Sequence, residues 1–422
     1  MHTESPHVPP ALWAWTTELA SVWPELSRPQ IKVLAQYSMG MVLAEGSGLS
    51  RVSFCLAHWL GQRWNSVRER LRDLYRGAKD KSGDHRQELI VKDCFAGLLA
   101  WILKSWPSDH LAIAMDATTL GDRFVVLAFS VVYAASAIPV AWKILPATAK
   151  EAWKPHWLRL LRKLKGVVPP AMHVIVLADR GLYARWLFEA IVDLKWHPFL
   201  RINRDNAEFQ PADTGKYRPV GKLITATGQA YTRPGVMFRS RAAHLPCTLV
   251  ACWSEGYEEP WLVVSDLAAA QTQPAWYGLR AWIERGFKHG KSGGLRWQNT
   301  RMTDPQRSER LWLVMAIAQV LAMRQGTIEP SQSRSAGIAP APSSKPEPKS
   351  STPHHASDSA PAKRRCSPIL SVFLSGLLLA RMLLCAGVVP PNRPLSPSPW
   401  PTGPPACTAP AESQVKLASR PP

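Results

Sequence analysis

Apolar positions recur at three- and four-residue steps through residues 11–106, the spacing of amphipathic helices. Between Ser50 and Arg76 the apolar set is Val52, Leu56, Trp59, Leu60, Val67, Leu71 and Leu74. Interleaved with it stand Arg51, Arg63, Arg68, Arg70, Arg72 and Arg76. Ser47-Gly48-Leu49-Ser50 reads as a turn with a serine cap.

The period changes at His110. Leu111–Met115, Phe124–Tyr133 and Ile138–Leu145 are apolar, β-branched runs, and the first ends in Asp116. Lys154–Lys165 has helical spacing. Val174–Ala178 is a strand ending in Asp179, Ala184–Leu194 a helix, and Phe199–Ile202 a short strand. The order β-β-β-α-β-α-β predicts a mixed sheet flanked by helices. From Arg204 to about Val264 the helical period is lost, glycines recur, and Thr248–Trp253 and Trp261–Val264 read as strands, so this stretch is a β-rich insertion. Trp276–His289 and Arg307–Arg324 return to helix.

The remainder differs in kind. Of the 38 prolines, 19 lie in residues 327–422. Thr327–Arg365 reads as disordered, as does the chain beyond Pro390. Between them Ile369–Val389 is apolar except for Arg381, with Lys363, Arg364 and Arg365 just before it. That run fits either a bilayer span or a terminal helix packed back on the body, and the central arginine argues against the span.

Charge then narrows the partners. The chain of 422 residues carries a formal charge of +20, which implies a polyanionic partner. Residues 327–422 contribute +6 of it and residues 1–326 the other +14, so the basic character belongs to the body. The helical N-terminal part is thus either a plain domain with a solvated basic face or a DNA-binding module. Seven scattered cysteines form no CxxC pair and no zinc-ligand spacing, as expected of reduced thiols in a cytoplasmic protein. The N-terminus shows no basic start followed by an apolar run, so no signal peptide is expected.

Two strand-end aspartates, Asp116 and Asp179, form the first chemical candidate. On neighbouring strands they would repel unless a cation lay between them, and Mg²⁺ takes carboxylate oxygens. The alternative is a pair of ordinary turn caps. On a helix over 276–291, Tyr277, Arg280, Glu284, Lys288 and Lys291 share one face, while Leu279, Ile283 and Phe287 lie on the neighbouring stripe. One acid among bases and a tyrosine suits a metal beside a phosphate chain, or else a solvated face of ordinary i, i+4 pairs. Arg180, directly after Asp179, is either a phosphate contact or a surface arginine. Gly290-Lys291-Ser292 lacks the upstream glycine of a phosphate-binding loop, since position 285 is Arg. His354-His355 falls in the proline-rich tail and is read as incidental.

Tyr277-x2-Arg280-x3-Glu284-x6-Lys291 resembles the Tyr-Arg-Glu-Lys signature of DDE-type bacterial insertion-sequence transposases of family four. Ala114-Met115-Asp116-Ala117-Thr118-Thr119 is similar to the family's first Asp motif, and Ala178-Asp179-Arg180-Gly181-Leu182-Tyr183 to its second. The three blocks occur in the family's order, with 62 residues between the aspartates and 104 between Asp179 and Glu284. The resemblance covers roughly Leu111–Met323.

It implies a ribonuclease H-like core, so the expected class is α/β: a ribonuclease H-like mixed sheet flanked by helices. The expected organisation is a helical, DNA-binding domain over 1–106 and a catalytic core over 107–203 and 265–326. The β-rich insertion takes 204–264, and a disordered proline-rich tail takes 327–422 with its apolar segment at 369–389. It further implies an enzyme that binds the terminal repeats of its element and catalyses nicking and strand transfer, with a hairpinned end as one route. Asp116, Asp179 and Glu284 are the implied catalytic residues and ligands of two Mg²⁺ ions, for which Mn²⁺ can substitute. Tyr277, Arg280, Lys288, Lys291 and Arg180 are the implied DNA contacts, and Trp253 or Trp261 a base-stacking candidate if not simply core. The implied partners are double-stranded DNA and a second copy in a synaptic homodimer, not a membrane, in a bacterial, nucleoid-associated setting. The rival reading is a catalytically decayed DNA-binding regulator. The family continues from the helix at 307–324 into a short basic helical end; here the proline-rich stretch intervenes, consistent with an insertion, a shifted reading frame or a degenerate copy.

Overall fold

The computed structural model describes residues 8–82, 86–205, 207–327 and 370–402. The N-terminal part holds α1 (Pro10–Val22), α2 (Arg28–Ala44), α3 (Leu49–Trp59), α4 (Trp64–Arg72) and α5 (Phe95–Leu103). Gly48, not a serine, caps α3, and the Ser47 hydroxyl is buried without a partner. The expected serine cap is therefore absent, because the tight α2–α3 turn encloses that side chain.

Next come β1 (His110–Leu120), β2 (Phe124–Tyr133), β3 (Ser136–Pro146), α6 (Lys154–Leu164), β4 (His173–Ala178), α7 (Arg185–Val192) and β5 (His197–Arg201). The 204–264 stretch and its flank supply β6 (Glu208–Pro211), β7 (Arg218–Pro219), β8 (Ala230–Met237), β9 (Leu245–Cys252) and β10 (Trp261–Ser265). These join one ten-stranded sheet in the order β3-β2-β1-β4-β5-β10-β9-β8-β6-β7. The β1–β2–β3 pairs are antiparallel, β4 lies parallel to β1 and to β5, and β10 returns antiparallel on β5. The insertion thus extends the central sheet instead of standing apart. The fold is mixed α/β, as expected.

Helices cover both faces. On β2, Phe129 meets Trp157 of α6 edge-on, while Phe124 stacks on Trp297. Odd and even strand positions face opposite sides, so α6 and the segment around Trp297 lie on opposite faces. On the Trp297 side lie α8 (Trp282–Lys291) and α9 (Pro305–Gly326), the latter capped by Asp304, whose carboxylate accepts from the Arg307 amide at 2.8 Å. From Leu311 to Gly326 every residue of α9 is buried. Such all-round burial needs cover on every side, which β3, α2 and a last helix, α10 (Val372–Cys385), provide.

Of the two readings of 369–389, the structure shows the helix packed back on the body, and the expected lack of structure is corrected only for residues 390–402. Phe373, Leu377, Ala380 and Leu384 of α10 are buried, and so is Leu395 beyond it. At 14 residues α10 is about 21 Å long. Among the described residues no helix is long and apolar enough to cross a membrane. The expected disorder over 328–369 lies outside the described residues. The five cysteines among the described residues are all free.

Candidate active site

The parallel strands set the site's geometry. Met115, Ala178 and Leu200 are level across β1, β4 and β5, so the next residues, Asp116, Asp179 and Arg201, emerge side by side. Asp116 does not end its strand as expected: β1 runs on to Leu120 because β2 keeps pairing with it. Only the β4 side stops, at Met115, and this opens the notch in which both aspartates stand. Each carboxylate accepts from the next backbone amide at 2.8 Å, Asp116 from Ala117 and Asp179 from Arg180.

The element carrying the third acid is not one α-helix. Pro274–Ala281 is 3₁₀, and α8 follows from Trp282. The shared face survives because three residues close one 3₁₀ turn and four close slightly more than one α turn. Ile283 and Phe287 anchor α8. Gly286 lets it touch β3: a Cβ there would lie 2.5 Å from the Ala137 carbonyl oxygen.

Arg280 forms the centre. Its Nη2 lies 2.8 Å from Asp116 Oδ2 and 3.6 Å from Asp179 Oδ2, and its Nη1 lies 2.8 Å from Glu284 Oε1. Its Nε is buried with no hydrogen-bond partner among the described residues. Burial pushes the Asp116 carboxyl up to about 6, against the pull of Arg280 and the Ala117 amide. Burial also works to raise Asp179, but Arg280, the Arg180 amide and Arg201 outweigh it, so Asp179 sits below the usual carboxylate range. Arg280 is desolvated too, yet Asp116 and its other neighbours raise its pKa further.

The other expected residues divide into two groups. Tyr277 is buried and donates to Asp179 Oδ1 at 3.3 Å; burial, reinforced by Asp179, raises its phenol well above the usual value. It orients a carboxylate and presents no open surface. Lys291 donates to Thr118 Oγ1 at 2.5 Å, and burial lowers its pKa against the opposing field of Asp116. Glu284, Lys288 and Arg180 are exposed, with Arg180 Nη1 2.7 Å from Glu259 Oε2. Trp261 is packed edge-on against Tyr277 and Tyr257, so it supports the site from behind. Trp253 donates to the Tyr257 carbonyl, with Arg204 over its ring.

Three participants escaped the sequence reading. Arg201 Nη1 lies 3.7 Å from Asp179 Oδ1 and its Nη2 3.4 Å from Glu259 Oε2, and Thr118 holds Lys291. Arg201 had a signal: it sits inside the short apolar run after the strand that ends in Asp179. Thr118 lay within the quoted first Asp motif, two residues after Asp116 on the same strand, but was given no role, and Glu259 had no signal, since only the folded sheet brings it near.

A family model described as the transposase DDE domain matches residues 108–321. That span contains the notch, the 3₁₀–α8 element and most of α9, and the chain belongs to this family of phosphoryl-transfer enzymes. No curated protein matches the chain. Among solved structures it is similar to a piggyBac transposase synaptic complex with hairpin DNA. That match has 10% identity, covers 78% of this chain and 79% of the other, and has a TM-score of 0.31.

Proposed function

We propose that this chain is a DNA transposase that nicks and joins strands at the ends of its own insertion sequence, through a ribonuclease H-like core with Asp116, Asp179 and Glu284 as catalytic carboxylates. The observation that carries this reading is the notch itself. Two aspartates stand level on adjacent parallel strands, and a third carboxylate reaches the same guanidinium. The strand order β3-β2-β1-β4-β5, antiparallel then parallel, supports the ribonuclease H-like reading of the core.

The donor set suits a hard divalent cation, since all three side chains offer carboxylate oxygens and no softer ligand intrudes. As they stand, no three His, Cys, Asp or Glu side chains among the described residues converge as a metal cluster, because the Arg280 guanidinium fills the space between them. Asp116, Asp179 and Glu284 would hold Mg²⁺ or Mn²⁺, which when bound activates water and offsets charge on the phosphate. Arg280, with an unused Nε donor, leaves the carboxylates for a phosphate oxygen of the DNA. Lys291, Lys288 and Arg180 add cations along the strand, and Tyr277 keeps Asp179 oriented.

The N-terminal helices support DNA binding in their own way. α3 and α4 are joined by Leu60–Arg63, with Gly61 at φ 60°, the short glycine turn of a helix-turn-helix. Phe54 and Trp64 pair edge-on at 6.2 Å and are both exposed, beside exposed Arg51, Arg63 and Asn65. This is the surface we assign to the terminal repeats. Two ends must be brought together, so the working form is a homodimer.

One observation favours the rival reading of a decayed, binding-only regulator: the carboxylates are closed on an arginine. Incubating supercoiled DNA that carries the gene and its flanks with Mg²⁺, for wild type and Glu284→Ala, separates the two. The transposase reading expects end cutting by wild type alone. End binding without cutting by either protein establishes the regulator instead.

A further inference from the structure

The segment 370–402 touches the signature-bearing element at both of its ends. At the far end, the buried Phe373 ring of α10 stacks on His289 at 4.4 Å and 20°. The same imidazole lies between two hydroxyls, Ser136 Oγ at 2.9 Å from Nδ1 and Ser371 Oγ at 3.3 Å from Nε2. α10 is seated there by direct backbone contact with α9. A Cβ on Gly326 would fall 1.9 Å from the Val372 carbonyl oxygen, and one on Gly376 1.8 Å from that of Ala322. Only glycine at both positions permits this approach.

Beyond α10 the chain crosses the body in extended form. Gln325 Nε2 donates to the Pro391 carbonyl at 2.7 Å, and the Ser396 amide donates to the Tyr133 hydroxyl at 3.1 Å. It arrives at Trp400, whose ring lies edge-on to Trp276 at 4.9 Å and to His110 at 4.9 Å. Trp276 directly precedes Tyr277, and His289 lies two residues before Lys291. One continuous strap therefore grips 274–291 at its start and its end, and Tyr277, Arg280 and Glu284 lie between the grips. The gripped element needs this support. Its first half is 3₁₀, with poorer hydrogen-bond geometry than α-helix, and among the described residues the exposed Glu284 has only the Arg280 pair to hold it.

We propose that residues 370–402 are a positioning clasp for the catalytic element, with Trp400 and Phe373 as positioning residues that fix Arg280 and Glu284 over the Asp116–Asp179 notch. This rests on the reading of that site given above. It makes the unusual tail a working part of the enzyme.

Hydrogen exchange measured on the full chain tests the clasp without requiring activity. Trp400 sits at the rim, so Trp400→Ala leaves the core packed, and Phe373→Leu keeps bulk at the other grip while removing the stack. In each variant, amides in 274–291 are expected to exchange about tenfold faster or more while α9 stays protected. Trp400→Phe is expected to restore protection. In the DNA-cleavage assay, Trp400→Ala is expected to lower kcat about tenfold or more with DNA binding within about twofold of wild type. Unchanged exchange over 274–291 in both variants overturns the clasp. So does an equal rise over α9, which marks the segment as general packing. If wild type cuts no DNA, the transposase reading fails while the exchange result still decides the clasp.

Discussion

The two ends of the β1–β4–β5 parallel pairing are built differently. Where that pairing stops, the strands present Asp116, Asp179 and Arg201, with Arg280 bridging the two aspartates and Arg201 reaching Asp179. At their amino ends the same strands begin with His110, His173 and His197. Those imidazoles lie within 4.8–5.5 Å of one another in sequence, and Trp276 and Trp400 pack against them. Burial, with its two imidazole neighbours, keeps His173 below its ordinary pKa, so its ring is held by packing, while the outer two imidazoles each add a carboxylate partner, Asp109 for His110 and Asp266 for His197. An ion pair can be exchanged for another ion at little structural cost, whereas a ring packed among rings cannot. The crevice rule for such sheets puts ligands at the carboxyl end of the parallel pairing, where the proposed catalytic carboxylates stand.

Substitutions that break this contrast rank by size. Asp116→Asn is expected to lower the rate of DNA cleavage by about a thousandfold or more, roughly 4 kcal/mol of transition-state stabilisation, with gel-shift affinity nearly unchanged. Because burial holds Asp116 near 6 in the metal-free site, a proton competes with the cation there, and the Mg²⁺ concentration needed for cleavage should fall as pH is raised through that value. A flat profile between pH 5 and 7 would refute this.

Arg280→Met strands buried carboxylates without their partner. It should cost about 3 kcal/mol in chemical denaturation at neutral pH without added metal, with part of the loss recovered in acid as Asp116 takes up a proton. Stability unchanged by the substitution would mean that the guanidinium is not the carboxylates' counter-ion.

The next effect sharpens the contrast on the clasp side. Burial, with Arg285 and Lys288, lowers His289 from 6.5 to about 4. The unfolded chain therefore binds a proton that the native chain refuses between those values. Stability from this group is complete above about 6.5 and is lost as pH falls toward 4, by up to about 3 kcal/mol. His289→Gln should flatten that part of the stability–pH curve. The smallest effect belongs to Arg180→Ala: its pair with Glu259 is about half exposed on both sides, so thermal stability should change by less than about 1 kcal/mol, while salt-dependent DNA binding weakens.

How much of this was legible in the chain depends on what each feature needs. Local period sufficed for β2, which runs from Phe124 to Tyr133 as expected, and for α6, within a residue of its expected end. It did not suffice for β6, β7 and β8, whose short or proline- and glycine-bearing sequences lack a strand period and are defined by their pairing, β8 on β9, β6 on β8 and β7 on β6. The aspartates and Glu284 could be nominated from motif spacing, but their meeting at Arg280 could not, since it requires the register of β1 on β4. Beyond Pro390 the tail misled for a compositional reason, since proline and serine enrichment resembles an unpacked chain; at 369–389 the packed-back helix was one of two open readings, and the two glycines that seat α10 carry no periodic signal to decide between them. Trp400, among prolines, gave no hint that its partner was Trp276.

The continuity of the sheet has a mechanical consequence. Ten strands linked edge to edge act as a single beam, and the join between its two halves is the β5–β10 pairing, Leu200 with Val264 and Arg201 with Val263. A pull on the outer strands is borne as shear across that seam. The first residue to feel the load is Arg201, one strand away from Asp179.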